Sequence, residues 1–350
     1  WRAWTRSPWP ACARRSGVVS LPGAAWHATR TSTSTSALGL KARSWVERCT
    51  RGPSAIPELP EVETVRRELV PWLTGRKIVE ARRVDAPEGP KYANLDLAAG
   101  QRIAAVERRG KFLLLPLVGR TANEVPHANG DGQDILVIHL GMTGIVRASP
   151  PRGHERVRMQ LDAGTDPVLY FQDVRRFGRF LVLPGGDLNL VPTLAAMGPE
   201  PITDDFTVDG FARALRRSDV AIKTYLLSQR PVAGVGNIYA DEALWRSEVH
   251  PATPARRLAR SRAKVVRLHT AIREVLLASI EAQGTTLNDY RTVNGEVGAY
   301  LEHLDAYGHE GAPCRRCGAS LRKTVLAGRG THYCPTCQVA PRTPVRTRSR

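Results

Sequence analysis

Apolar residues first settle into a sustained period at Leu59, Val62, Val65, Leu69 and Trp72. Steps of three and four predict a helix with one apolar stripe. From about 76 to 185 the texture changes to short apolar runs: RIAAVERR, KFLLLPLV, DILVIHLGM, RVRMQLDA, VLYFQDV and RFLVLPGG. Gly, Pro, Asn and Asp separate them, which predicts an antiparallel sandwich or barrel. After GPEPITDDF the pattern turns helical, with an apolar stretch over 222–230 and a break at PVAGVG. A further helix runs through NIYADEALW, with Asn237 placed to cap it. A longer one starts near Ser261, carries Val265, Leu268, Ile272, Leu276 and Ile280, and stops at Gly284. The expected class is α+β: an N-terminal helix and β-sandwich over 57–190, a helical domain over 191–305, a cysteine hairpin over 306–340 and a basic tail over 341–350.

Residues 1–56 follow neither period. They hold nine basic residues against one acid (Glu47), five of the seven tryptophans and the tract TRTSTSTSALG. A disordered extension or a start assigned upstream of the real one is expected; an Arg- and Ser-rich, acid-poor segment also fits a targeting or DNA-tethering arm. Across the chain, 51 Lys and Arg face 33 acids, a formal charge of +18. That excess points to a polyanion and leaves DNA, RNA, an acidic membrane or a merely solvated basic face open. No apolar run reaches the length of a membrane span, so no membrane-spanning helix is expected; no membrane stands among the expected partners.

Six cysteines are too few for a disulfide scaffold at this length. Four of them, Cys314, Cys317, Cys334 and Cys337, read C-x2-C-x16-C-x2-C. Two such knuckles close a tetrahedral thiolate shell with no open position, which predicts one structural zinc and no catalytic metal. RKTVLAGRGTHY between them suits a β-hairpin with Gly328-Arg329-Gly330 at its tip. An arginine there is placed to meet phosphate, or is an ordinary solvated turn residue.

Five ordered segments, PELPEVETVRREL, HLGMTG, QDVRRFG, PVAGVGNIYADEALW and the CxxC pairs around GRGTHYC, resemble the formamidopyrimidine-DNA glycosylase family. The resemblance runs along nearly all of 57–350. It implies a helix–two-turn–helix in the helical domain and a four-cysteine zinc hairpin behind it. It implies base-excision repair of oxidised purines (8-oxoguanine, formamidopyrimidines) in duplex DNA, followed by β,δ-elimination at the abasic site. The nucleophile maps onto Pro57, whose secondary amine attacks C1′ and forms an iminium as the base leaves. Glu58 shuttles protons to open the sugar, with Glu61 in support. Lys111 maps onto the lysine of β-elimination, and Arg329 onto the arginine of δ-elimination. Met142, Arg175 and Phe177 match the residues that fill the void left by the flipped base. His154, Arg217 and Asn237 map onto phosphate contacts, and the loop from about 285 to 300 onto the segment that closes over the purine. A monomer acting in the cytoplasm is expected, with organelle targeting by 1–56 as an alternative.

One feature departs from the family: its nucleophile is a chain terminus, whereas Ile56 precedes Pro57 here. An internal proline nitrogen is a tertiary amide and forms no Schiff base. Either the start lies upstream of the real one, or the arm is cleaved, or the chain is a damaged-DNA-binding protein without catalysis. A third class, an endonuclease VIII-like glycosylase for oxidised pyrimidines, opens with PEGPE-like sequence and lacks the Met-Arg-Phe set. PELPEVE with Met142, Arg175 and Phe177 argues for the purine branch.

Overall fold

The computed structural model describes residues 56–119, 132–285, 293 and 298–341. The expectations for the arm before 56, for most of the loop near 285–300 and for the basic tail lie outside these residues.

Helix α1 (Leu59–Leu73) forms where the stripe predicts it, with one change. Val62, Val65, Leu69 and Leu73 are buried, whereas Trp72 is half-buried and donates its indole N–H to Asp166 O at 3.0 Å. A step of four from Leu69 lands on Leu73, and Trp72 falls about 100° off that face.

Two antiparallel sheets follow. The first orders β1 (Ile78–Arg83), β7 (Glu155–Leu161), β8 (Val168–Asp173) and β6 (Gly144–Arg147) side by side. The second orders β2 (Arg102–Ile103), β4 (Phe112–Val118), β5 (Ile135–His139) and β9 (Arg179–Leu183), with β3 (Glu107–Arg109) also paired to β4. Inward residues of both sheets, such as Met159 and Phe171 on one and Leu113, Leu115 and Ile138 on the other, share a core with α1. The second sheet is apolar on its other face as well. Phe112, Val137 and Leu181 pack there against Val191, Leu194 and Met197, which is why FLLLPLV and ILVIH run almost without polar breaks.

The helical domain holds α2 (Pro192–Ala195), α3 (Val208–Arg216), α4 (Ile222–Leu227), α5 (Asn237–Arg246), α6 (Ala255–Leu258) and α7 (Arg262–Glu281). Ser261 caps α7 by accepting from Lys264 N, as its position predicts. Around α5 and α7 a second core forms from residues such as Ile222, Leu244, Leu268, Ile272 and Leu276. Leu59 belongs to this second core although Val62, one turn on, belongs to the first, so α1 begins at the seam between them. The cysteine module pairs β10 (Arg322–Leu326) with β11 (Arg329–Tyr333) and packs Cys314, Leu321 and Cys334 on Trp245 of α5. The register Leu326↔Arg329 leaves Ala327 and Gly328 as the turn, at φ 48° and 74°. Arg329 is therefore the first residue of β11, one step past the tip expected from Gly-Arg-Gly. Among the described residues no helix is long and apolar enough to cross a membrane.

Candidate active site

Pro57 and Glu58 are buried at the start of α1. Leu59 N donates to Gly234 O at 3.1 Å, and Gly234 (φ +78°) has no room for a Cβ because Leu59 fills it. The Glu58 carboxylate accepts from Gly236 N at 2.6 Å and Ile238 N at 2.8 Å. These are the first amides of α5, so the acid sits at the positive end of that helix. Gly236 is the N-cap by backbone and Asn237 is already helical, so the cap comes from another element rather than from Asn237. A Cβ on Gly236 would lie 2.5 Å from both Glu58 Oε1 and Lys111 Nζ; glycine is what lets acid and ammonium close in. Burial pushes the Glu58 carboxyl up to about 7, with Lys111 pulling it down and Glu61 adding to the rise. A carboxyl that titrates near neutrality can both give and take a proton.

Glu61 lies one turn along and is equally buried. Its Oε2 accepts from Glu58 N at 2.8 Å, and its Oε1 accepts from Tyr239 OH at 2.5 Å and Thr285 N at 2.7 Å. The Tyr239 hydroxyl also meets Ser279 Oγ at 2.6 Å. Burial raises the Glu61 carboxyl, and the three donors work against it.

Lys111 stands with Gly110 on the two-residue turn between β3 and β4. Glu200, from the connection to the helical domain, accepts from Gly110 N at 2.6 Å, Arg108 at 2.7 Å and Arg109 at 3.1 Å. One acid thus holds the turn that carries the lysine. Burial lowers the Lys111 ammonium, while Glu58 and Glu61 support it. Behind it, burial presses His139 down to about 3, so the ring is neutral and its Nδ1 accepts from Gly141 N at 3.2 Å.

Met142 lies between β5 and β6, and Arg175 and Phe177 lie between β8 and β9. The two loops touch backbone to backbone: Gly141 (φ +65°) has no room for a Cβ, which would meet Gly178 N at 2.5 Å. Asp173 clamps both, accepting from Thr143 Oγ1 at 2.5 Å and Gly178 N at 2.7 Å, while Thr143 accepts from Arg175 N at 3.0 Å. Buried Arg156 donates to Asp173 O at 2.7 Å from below. Arg175 reaches Met142 Sδ at 3.6 Å, and Phe177 is 53% exposed, a large apolar surface offered to something outside the fold.

Glu58, Lys111, Met142, Asn237 and Arg329 line one cleft of about 320 Å³. Asn237 Oδ1 is buried there with no hydrogen-bond partner among the described residues. An unmet acceptor or donor beside a lysine and an arginine is suited to a polar ligand atom. His154 and Arg217 do not line this cleft. His154 (φ 58°) is exposed before β7 with Nδ1 3.3 Å from Arg156 Nη2, and Arg217 is the exposed C-cap of α3. The four cysteine Sγ atoms lie within 4.8 Å of one another. Tetrahedral zinc–thiolate bonds of about 2.3 Å ask for sulfurs roughly 3.8 Å apart, so the donor set fits one structural zinc.

Several supporting residues leave little signal in the sequence. Lys223 and Asp241, both wholly buried, pair at 2.7 Å, and Lys223 Nζ also donates to Gly330 O at 2.8 Å. Asp241 accepts from His332 N at 2.8 Å. The pair fixes β11, and with it Arg329, onto the helical domain. A lysine within the apolar stretch IKTYLL was the available signal. Glu242 ties down the approach to the zinc module by accepting from Asp305 N, Ala306 N and Tyr307 N at 2.8–2.9 Å.

Comparison with known proteins matches three family profiles in the order of these domains. They are the formamidopyrimidine-DNA glycosylase N-terminal domain (56–180), the formamidopyrimidine-DNA glycosylase H2TH domain (197–291) and the zinc finger found in FPG and IleRS (311–339). The formamidopyrimidine-DNA glycosylase of Thermus thermophilus is 45% identical over 285 residues, 81% of this chain and 98% of the relative. The crystal structure of the MutM (Fpg) protein of Thermus thermophilus superposes with a TM-score of 0.70 at 44% identity, over 81% of this chain and 98% of that one. Lactococcus lactis Fpg in complex with DNA containing an abasic site gives a TM-score of 0.67 at 35% identity, over 81% and 100%. A MutM structure in complex with DNA carrying carbocyclic 8-oxo-G gives 0.68 at 35%, over the same shares.

Proposed function

Because the chain belongs to the formamidopyrimidine-DNA glycosylase family, we propose that it is a base-excision DNA glycosylase that removes oxidised purines from duplex DNA and then cleaves the abasic strand as a lyase. The observation that carries this reading is the single cleft that Glu58, Lys111, Met142, Asn237 and Arg329 line from separate elements, with Ile56 and Glu58, the two chain neighbours of Pro57, both in its wall. Similar proteins bind DNA with an abasic site and DNA with an 8-oxo-G analogue, which are the substrate classes the two steps require.

In this reading the Pro57 amine donates its lone pair to C1′, the C1′–base bond breaks with its electrons leaving on the purine, and the proton given up by the Pro57 nitrogen is taken up by the departing base. Glu58 delivers a proton to the ring oxygen as the sugar opens, leaving an iminium on Pro57. Loss of a C2′ proton then expels the 3′ phosphate, a second elimination expels the 5′ phosphate, and Lys111 and Arg329 neutralise the departing anions. Met142, Arg175 and Phe177 occupy the space the base vacates, and Asn237, His154 and Arg217 contact phosphates along the strands. Nucleophilic attack calls for a free amine, whereas Ile56 acylates Pro57 in this sequence. The active form is therefore one beginning at Pro57. The reading takes the protein to act as a monomer on DNA in the cytoplasm.

The test is borohydride trapping on a duplex with 8-oxoguanine opposite cytosine, using the full chain and a form beginning at Pro57. An adduct with the second form alone is the expected result. No adduct from a zinc-loaded form beginning at Pro57 that still binds the duplex tightly would leave a damage-binding protein instead.

A further inference from the structure

A larger cavity, about 530 Å³, lies outside the cleft. It opens at Glu248, Val249 and His250, directly after α5, whereas the cleft is built on Gly236, Asn237 and Ile238 at the other end of that helix. Ten residues of α5 separate the two by about 15 Å. Its other walls include Arg257 of α6, Lys264 and Arg267 of α7, and Cys337 and Val339 to Pro341 at the end of the zinc module. No residue lines both cavities.

The charge of this cavity is not balanced. Glu248 is its one carboxylate, and Arg267 at 4.0 Å and Arg316 at 3.7 Å already share it. Among the described residues no acid lies within ion-pair distance of Arg257 or Lys264. The segment feeding the cavity, ARRLARSRAKVVR over 255–267, has six basic residues and no acid. Only Arg256 and Arg262 of the others find carboxylates, Asp219 at 3.3 Å and Asp209 respectively. Arg256 also donates to Arg216 O at 3.0 Å, which sets the exposed Arg217 beside the same face. Burial lowers the His250 imidazole, so the ring adds a polar edge rather than a charge.

We propose that this seam between the helical domain and the zinc module is a second binding surface for the phosphodiester backbone of DNA, with Arg257, Lys264 and Arg267 as its phosphate contacts. A concave, cation-lined surface with surplus positive charge fits a polyanion, and fixed guanidinium forks suit phosphate oxygens. The proposal rests on the DNA reading of the cleft. The phosphates come from the flank of the duplex held in the cleft, about four to five base pairs away at 3.4 Å per pair, or from a second duplex.

The experiment measures the salt dependence of affinity for undamaged DNA with the zinc-loaded chain and the triple variant R257Q/K264Q/R267Q. All three side chains are exposed, and bound zinc and thermal unfolding verify that the variant folds. Two duplexes are used, one ending within about four base pairs of its centre and one much longer. A control triple, R82Q/R83Q/R102Q, removes equally exposed arginines that are paired to Glu80, Glu88 and Asp162. Flattening of the log–log slope by about 2.7 on the long duplex alone supports contact with the flank. Flattening on both duplexes, with two short duplexes bound per chain, supports a second DNA. An unchanged slope overturns the proposal, as does equal flattening by the control triple. Flattening on the short duplex at one duplex per chain also overturns it, because a general loss of charge would do the same. None of these readouts uses trapping, so failure here and failure of the glycosylase reading are told apart.

Discussion

Glu58 serves two elements at once. It precedes the first turn of α1 and supplies the carboxylate that satisfies the first amides of α5. Its carboxyl titrates at about 7 against an ordinary 4.5, because burial outweighs those donors. The folded state therefore holds this proton more tightly than the unfolded chain does. That contribution to stability is full below pH 4.5 and is lost as pH rises through 7. Glu58→Gln in the form beginning at Pro57 is expected to lower excision by about 10²–10⁴-fold while duplex binding persists. It should also flatten the decline in thermal stability across that pH window. Wild-type excision by the variant would remove Glu58 from the proton-transfer role. The acid itself was visible in PELPEVE, but its partners Gly236 and Ile238 lie 178 and 180 positions away. Sequence spacing carries no trace of such a contact.

Elements were legible in proportion to how fully one face repeats. The long helix α7 and strands β4, β5 and β9 stand out because their apolar positions are dense. Strands β1 and β6 are not predicted by the apolar runs. β1 buries only Ile78 and Ala81, with a register shift between Ile78 and Glu80, so it never alternates cleanly. β6 is four residues long. The hairpin between β10 and β11 was placed correctly, but its turn was not. Two adjacent positive φ values are what a tight two-residue turn needs, and Ala327 meets that demand poorly at 48°. Ala327→Asn is expected to stabilise the zinc-loaded protein by about 0.5–1 kcal/mol, read as a rise in the unfolding midpoint. A fall would mean that the backbone departs from this turn.

The whole molecule hangs on a few buried charges between domains. Lys223 and Asp241 are fully enclosed, and between them they hold the backbone of Gly330 and His332. Removing one partner leaves the other charge buried and unpaired. Lys223→Met is expected to cost about 3–5 kcal/mol, and the double variant with Asp241→Leu distinctly less. Equal losses for single and double variants, in chemical denaturation with zinc bound, would show that the pair does not act as a unit. The order of domains was readable from texture, cysteine spacing and family motifs together. The division of α1 between two cores was not: a single stripe gives no reason to assign Leu59 and Val62 to different domains.

The clamp at Asp173 has a mechanical consequence. In the reading proposed here, prying open a base step requires a tool stiffer than the stack it enters. Met142, Arg175 and Phe177 stand on two short loops, but those loops share one carboxylate, one glycine-to-glycine contact and a buried arginine beneath. Force applied at the Phe177 ring is returned to the sheet rather than absorbed by loop motion. The compliance then belongs to the DNA, and a site already softened by damage yields before an intact one does.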